Sequence, residues 1–316
     1  KIPALVLPLV VAPLLVLGAF AYSKIHDNLH ERVEGDAARA LRTVSNQLKQ
    51  ETAAARGNLQ LFMSNIVVGK YATTADENER YSLLQQPLLE VFKACQSAFP
   101  SYFEIRFLLP DGYEDARLTR AKLGNQSDDE SASPWFKHLT RNTQTDYATV
   151  YVHPDTHQPA LFVGAAVKRR DATTQTDDDA PTLRGYLGIS VDLSDLRRNI
   201  AEARIGESGY VFATDDEGRL LFGHTGLRLP TDFMTTVRRG MENRAEEISV
   251  LLNDQPTGVH IRRVNDNLLL FAAHPDADMH NLIVQAVLIV LLGLLIVVVV
   301  TGGGLVTVLT RYIVQP

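Results

Sequence analysis

The sequence predicts an α+β fold: two stacked small modules, each a sheet with flanking helices, carried on one long N-terminal helix and flanked by two transmembrane helices. Three observations predict it. An uncharged apolar run lies near each end. One apolar stripe at helical spacing runs from His26 to about Ile66. Between that stripe and the second apolar run, the order strand–turn–strand, helix, strands occurs twice.

The stretch from Leu282 to Thr310, LIVQAVLIVLLGLLIVVVVTGGGLVTVLT, holds no charged residue. About 20 helical residues cross a hydrocarbon core, so this run is long enough to span with tilt. Arg311 and Tyr312 follow it as interface anchors do. The chain stops shortly afterwards, and a membrane helix needs something to signal to, so a cytoplasmic half is expected beyond it. Ile2 to Ser23 is the other apolar run. Read as a signal peptide, it has Lys1 as a basic start and Ala19-Phe20-Ala21 as a cleavage site. Read as a membrane helix, it has the length, and lipid tolerates its Pro3, Pro8 and Pro13. Its length, and the helical pattern that continues past the cleavage site, favour the uncleaved helix. Lys1 and Arg311 place both ends in the cytoplasm. The expected topology is a two-pass protein of the inner membrane with its middle outside, periplasmic in a Gram-negative bacterium.

Composition narrows the classes. The chain of 316 residues is 45% hydrophobic and 22% charged, with net charge -6, which offers no basic footprint for nucleic acid. The single cysteine, Cys95, excludes an intrachain disulfide and a cysteine metal cluster, and suits a small core residue.

The stem helix places Leu29, Val33, Ala37, Leu41, Val44, Leu48, Ala55, Leu59, Phe62 and Ile66 on one stripe. Such a stripe is the spine of a domain, a coiled-coil seam between two copies, or both. Tyr71 to Glu79 reads as a polar break, and Arg80 to Ala98 as a second helix that Pro100 ends. Ser101 to Leu109 alternates as a strand, with Phe103, Ile105 and Phe107 on one face and Tyr102, Glu104 and Arg106 on the other. Pro110-Asp111-Gly112 turns the chain into a returning strand, Glu114 to Arg120. Ser133 caps a short helix with Pro134 at its first position and Trp135, Phe136 and Leu139 on it. Tyr147 to His153, Pro159 to Lys168 and Arg184 to Val191 are strands, with a polar loop at Asp171 to Pro181, and Asp192 to Ala203 is a helix. The second set follows: strands at Gly209 to Ala213 and Arg219 to Phe222, a helix at Asp232 to Glu242, and strands at Ile248 to Leu252, Gly258 to Val264 and Leu268 to Ala273.

Several of these segments carry a family resemblance. IGESGYVFATDDEGRLLFG, from Ile205 to Gly223, resembles the opening of the membrane-proximal module of the double Cache domain. YFEIRFLLPDGYEDARL resembles the first hairpin of the membrane-distal module, SPWFKHL the short helix with the family's Trp-aromatic pair, and RGYLGISVDLSDL the strand that closes the distal module. RYIVQP is similar to the start of a HAMP linker. The resemblance implies two PAS-like (Cache) modules in the extracytoplasmic, ligand-sensing part of a membrane receptor that works as a homodimer. The implied divisions are a first membrane helix at 1–25, stem and second helix at 26–100, distal module at 101–203, proximal module at 204–281, second membrane helix at 282–310 and HAMP at 311–316.

The resemblance also implies a small-molecule ligand in the distal module. Trp135 matches the family's pocket tryptophan, with core packing as the plain alternative. Asp192 matches the aspartate that holds an amine in amino-acid-binding members, with a helix N-cap as the alternative. Those members carry an arginine two residues before the tryptophan and a tyrosine after it. Here Ser133 and Phe136 stand there, which argues against α-amino acids. Arg106 and Arg117 are the alternative clamp for a carboxylate, facing the side of Tyr102, unless Arg106 pairs with Glu104. Tyr151 and His153, on the next strand, complete the candidate pocket, and a surface position is the alternative for His153.

Enzyme readings find no support. The chain has no H-E-x-x-H, P-loop, G-x-S-x-G or Cys/His cluster, so no catalytic residue, cofactor or metal ligand is expected. His153 and His157 flank a turn, and the Asp-rich stretches lack EF-hand spacing. The expected output beyond the chain is a diguanylate cyclase or phosphodiesterase acting on cyclic di-GMP, or a histidine kinase of a two-component system. A chemoreceptor would share this half. A protein-binding module without a small ligand would fill the Arg106/Trp135 pocket with its own side chains.

Overall fold

The computed structural model describes residues 2–120, 125, 128–141, 143–170, 180–265 and 267–309. The expected HAMP start at 311–316 and most of the loop at 171–181 lie outside them.

Helix α1 runs unbroken from Ile2 to Ser64. The expected stripe is its buried side: Val33, Ala37, Leu41, Val44, Leu48, Ala55, Leu59 and Phe62 are all buried. Ile66, expected on that stripe, is exposed, because the helix stops first. Asn65 takes extended backbone and its side chain accepts from the Val67 amide at 2.8 Å, which caps a new helix, α2 (Ile66–Thr73). The expected break at Tyr71 to Glu79 therefore shrinks. Tyr71 is fully buried, edge-on to Phe107 at 5.4 Å. Asp76 caps the one-turn α3 (Glu77–Glu79). A π-helical turn, Arg80–Leu84, leads into α4 (Gln85–Ala98). Pro87 lacks an N–H and would crowd the carbonyl four residues back, and the wider turn lies where that carbonyl falls.

The first sheet comprises β1 (Tyr102–Leu108), β2 (Glu114–Thr119), β3 (Tyr147–Val152), β4 (Pro159–Arg169) and β5 (Thr182–Asp192), with α5 (Pro134–Arg141) between β2 and β3. Its order is β2-β1-β5-β4-β3, antiparallel throughout. Helix α6 (Ser194–Glu202) leads to the second sheet of β6 (Arg204–Ile205), β7 (Gly209–Thr214), β8 (Leu220–Phe222), β9 (Glu247–Leu252), β10 (Gln255–Asn265) and β11 (Leu268–Pro275), with α7 (Phe233–Glu242) before β9. The order is β6-β7-β11-β10-β9. Strands β6 and β8 share one edge of β7, at opposite ends. The short β6 carries too little pattern to be read from sequence.

One continuous core joins both sheets to α1. Ile105, Phe107, Leu161, Leu187 and Ile189 of the first sheet, and Val211, Ala213, Leu268, Leu270 and Ala272 of the second, pack with the α1 stripe. Each large aliphatic side chain buried there contributes about 1.5–3 kcal/mol. Cys95 lies in this core, its thiol pushed up to about 12 by burial. The opposite faces are covered separately, by α7, with its Phe233, over Phe212 and Phe271 and by α5 over Leu108, Phe162 and Tyr186.

Helix α8 (Asp276–Leu309) starts where β11 ends, with no loop between. The helix begins ahead of the uncharged run that opens at Leu282, because the strand passes straight into it. The stretch Asp276–Val297 is, among the described residues, the one helical segment long and apolar enough to cross a membrane. Leu288, Ile289, Leu292 and Leu295 stand exposed on it, and Val299 and Val300 on the rest of α8.

Candidate functional site

Strand β1 sets the site, and a bulge in it decides which side chains take part. The register of β1 against β5 shifts between Tyr102 and Glu104. An extra residue on one strand inverts the alternation on one side of the shift. Glu104 and Arg106 share one face, as expected, and with Leu108 they point away from α1. Tyr102 faces α1 instead, where its hydroxyl accepts from Asn58 Nδ2 at 2.7 Å and its ring stacks on Phe99 at 5.1 Å. Tyr102 is thus a core residue and not part of the candidate site. Phe103 takes the outer side, edge-on to the His153 ring at 5.0 Å.

Asp192 also lies apart from the site. Its Oδ1 accepts from the Ser194 amide at 2.9 Å and from Ser194 Oγ at 2.6 Å, so it serves the start of α6. It lines a cleft of about 260 Å³ with Phe103, Arg197 and Phe222 of the other sheet.

The remaining six expected residues come together. Glu104 is the hub. Arg106 Nε donates to Glu104 Oε2 at 3.1 Å and its Nη2 donates to the same oxygen. Arg117 Nε donates to Glu104 Oε1 at 2.7 Å, and Ser190 Oγ donates to Oε2 at 2.9 Å. His153, expected on the surface as one alternative, is fully buried. Its Nδ1 accepts from the Asp155 amide at 3.3 Å, which leaves the proton on Nε2 to donate to Glu104 Oε2 at 3.2 Å. Arg106 Nη1 also donates to Glu130 Oε1 at 2.7 Å, and Arg117 Nη2 to Asp155 Oδ2 at 2.5 Å. Tyr151 Oη lies 3.2 Å from Ser190 Oγ. Both guanidinia are therefore held by the protein's own carboxylates, and the pairing of Arg106 with Glu104 is the one realised. Glu104, His153 and Asp155 bring donor atoms close enough to hold an ion, but two guanidinia already occupy those oxygens.

An aromatic layer covers this cluster. Gly164 and Gly188 are cross-strand neighbours on β4 and β5, and a Cβ at either would lie 2.7 Å from the Phe162 ring. Phe162 lies in the space that they leave. Trp135 packs on it with ring centroids 4.2 Å apart, while the Arg106 guanidinium sits 5.6 Å from the Trp135 ring. Phe136 is edge-on to Tyr186 at 5.2 Å. Ser133 holds α5 over the sheet by accepting from the Phe136 amide at 3.3 Å. Trp135 and Phe136 are both buried, so packing and a pocket wall are the same position here.

The electrostatics are unbalanced. Four carboxylates, Glu104, Glu114, Glu130 and Asp155, meet two guanidinia and one imidazole. Burial pushes Glu104 up, but Arg106 and His153 outweigh it and hold its carboxyl well below the usual range. Glu114 goes the other way. Burial pushes it up to about 7 against the pull of Arg106 and Arg117, and its buried Oε2 has no hydrogen-bond donor. Arg106 lies 3.6 Å from that oxygen and is already committed elsewhere. A second cleft, of about 380 Å³, opens beside the layer between Trp135, Tyr147 and Tyr151 and the turn at Asp215 to Arg219. Asn267, in the turn between β10 and β11, crosses to donate to Tyr147 Oη at 2.9 Å and Thr149 Oγ1 at 3.0 Å.

No family model and no curated protein matches the sequence. Solved structures do match in fold. The ligand-binding domain of the Campylobacter jejuni chemoreceptor Tlp3, in complex with 4-methylisoleucine, has a TM-score of 0.56 at 13% identity, covering 79% of this chain and 94% of that one. The extracellular domain of vpHK1S-Z8, described as a histidine kinase, has a TM-score of 0.56 at 14% identity, covering 81% and 95%. A domain from a Vibrio parahaemolyticus protein assigned to the sensory box/GGDEF family has a TM-score of 0.54 at 14% identity, covering 79% and 99%. The chain has the fold of these domains, the double Cache fold that its sequence resembles.

Proposed function

We propose that this chain is the extracytoplasmic ligand-sensing region of a transmembrane signalling protein, with the ligand site in the distal module around Glu104 and Trp135. The observation that carries this reading is mechanical. Both sheets share one core with α1, and the last strand of the second sheet passes directly into the apolar α8. A shift in either module therefore moves α8 against α1. The neighbours in fold come from a chemoreceptor, a histidine kinase and a GGDEF-family protein, and their sensory role supports the same role here. The finer parts of the proposal are a two-pass inner-membrane topology with a periplasmic sensor, a homodimer, a HAMP segment from Arg311 onward and a cytoplasmic cyclase, phosphodiesterase or kinase beyond it. A chemoreceptor output stays as the alternative, marked by a long helical hairpin after HAMP.

The charge balance chooses between the expected ligand classes. Surplus buried carboxylate, with Glu114 poised near neutrality, suits an amine better than a carboxylate. An incoming ammonium would be attracted by Glu114 and Glu130 and would keep Glu114 ionised. Ligand shifts the equilibrium only by its differential affinity for the two arrangements.

A second reading draws on the same residues. The Arg106/Trp135 region is filled by the domain's own side chains, which favours a module that binds a protein partner and no small molecule. A thermal-shift screen of the full chain in detergent, with amines, amino acids, carboxylates and purines, separates the two. Ligand at about 100 times its dissociation constant adds about 2.7 kcal/mol of stability. A shift with amines that Glu130→Ala abolishes supports the sensor reading. No shift with any compound supports the partner reading.

A further inference from the structure

The second sheet holds a different cluster. Glu247 of β9 and His260 of β10 are direct cross-strand partners. His274 of β11 stands two residues along from Ala272, the partner of His260. All three side chains rise from the sheet face that carries Leu270 and Ala272 into the core with α1. His274 Nε2 is 3.2 Å from Glu247 Oε1, and His260 Nε2 is 3.9 Å from Glu247 Oε2. One donor atom from each of the three lies within 4.8 Å of the others.

Hydrogen bonding leaves these nitrogens unexplained. His274 is 3% exposed; its Nε2 faces Glu247 at 3.2 Å, out of line for a good hydrogen bond but close enough to hold that carboxyl below its ordinary value, and its Nδ1 has no partner. His260 Nδ1 lies 3.1 Å from the Glu246 carbonyl, to which it donates. That bond fixes the tautomer and leaves Nε2 as a buried lone pair with no donor. An imidazole oriented by a backbone carbonyl, with its other nitrogen bare, is how proteins present histidine to a metal.

The middle strand clears the space. A Cβ at Gly258 would lie 1.9 Å from Glu247 Oε1 and 2.6 Å from His274 Nε2. Helix α1 supplies further donors, because His30 and Glu34 gather with the same Glu247. His30 Nε2 lies 3.0 Å from Glu34 Oε1.

We propose that Glu247, His260 and His274 bind a zinc ion, with His30 of α1 as the fourth ligand. Two imidazoles and a carboxylate are borderline donors that zinc takes in tetrahedral geometry. Bonds of about 2.0–2.1 Å place tetrahedral ligand atoms about 3.3 Å apart; His274 Nε2 already stands 3.2 Å from Glu247 Oε1, and His260 Nε2, 3.9 Å from the other carboxylate oxygen, has to draw in. The ion would clip α1 to the sheet, two residues before β11 becomes α8. It would set how freely the two helices shift, independently of any ligand in the distal module.

The test uses the full chain, without a histidine tag, in detergent, stripped with EDTA and dialysed against micromolar zinc. The expected result is one zinc retained per chain, a raised melting temperature, and, with cobalt(II) instead, the visible absorption of a four-coordinate site. Glu247→Gln and His260→Gln lose the retained metal, and His30→Ala weakens binding at least about tenfold. All three melt with the wild type in EDTA, which separates lost metal from lost folding. Wild-type protein that retains no zinc, or double-variant Glu247→Gln/His260→Gln that retains it undiminished, overturns the proposal. So does a cobalt spectrum of an octahedral, water-rich ion.

Discussion

Glu104 and Arg106 stand two residues apart on the same face of β1, and the carboxylate of the first accepts both Nε and Nη2 of the second within a fully buried cluster. Glu104 also serves Arg117, His153 and Ser190. Replacing it by glutamine removes the carboxylate that both guanidinia share and leaves Arg106 to Glu130 and Arg117 to Asp155. Breaking a buried pair from one side costs about 3–5 kcal/mol. Urea unfolding of Glu104→Gln is expected to show a loss of that order, and a loss below about 1 kcal/mol would mean that water reaches the cluster.

Glu114 gives a pH dependence of opposite sign to that of Glu104. Its carboxyl is raised to about 7 in the folded protein, above its ordinary value, so the folded state holds a proton that the unfolded state has released. Its contribution is intact below about pH 4.5 and is lost as pH rises to about 7. Glu104 is depressed, so its contribution is present at neutral pH and is lost on acidification. Glu114→Gln is therefore expected to match the wild type near pH 5 and to exceed it at pH 8 by on the order of 1–3 kcal/mol. Thermal melts across that range measure the difference, and a constant offset at all pH values would contradict it.

Gly188 makes room for the Phe162 ring. Adding a methyl at a position 2.7 Å from that ring forces the ring, and Trp135 stacked on it, to move. Gly188→Ala is expected to cost about 1–3 kcal/mol by overpacking. It is also expected to change Trp135 fluorescence, which reports the layer directly because this is the chain's one tryptophan.

Asn267 ties the two sheets by its amide. Asn267→Ala leaves Tyr147 Oη and Thr149 Oγ1 without that donor, at a cost of about 1–3 kcal/mol. Hydrogen exchange is expected to rise in both β3 and the β10–β11 turn, while a rise in the turn alone would show that the two sheets open separately.

The sequence carried most of the architecture because its signals are local. The α1 stripe, the Pro-Asp-Gly turn and the Ser133 cap each declare themselves within a few residues. Tyr102 was not legible, since a single-residue bulge against β5 moves it to the other face and strict alternation cannot foresee that shift. Tyr71 reads as the start of a break because polar residues follow it, but the helix capped by Asn65 runs on through it. At the candidate site, Glu104 lies two residues from Arg106, but the carboxylates that complete the pairing of Arg106 and Arg117, Glu130 and Asp155, come from far along the chain. Glu247, His260 and His274 escaped notice for the same reason. They lie on three strands, and only the register makes them neighbours. Gly258, two residues before His260 on the strand between Glu247 and His274, is the faint sign that the sequence carries.

Helix α1 has 63 residues without a break, which at 1.5 Å per residue is a rod of about 95 Å. Such a rod fixes azimuth as well as height. Each residue turns the helix by about 100°, so inserting one residue below Val33 would swing everything above it by more than a quarter-turn around the helix axis while lifting it by only about 1.5 Å. Inserting a full heptad would nearly restore the original bearing. The reach of this molecule can therefore drift by whole turns, whereas its compass direction admits almost no single-residue change.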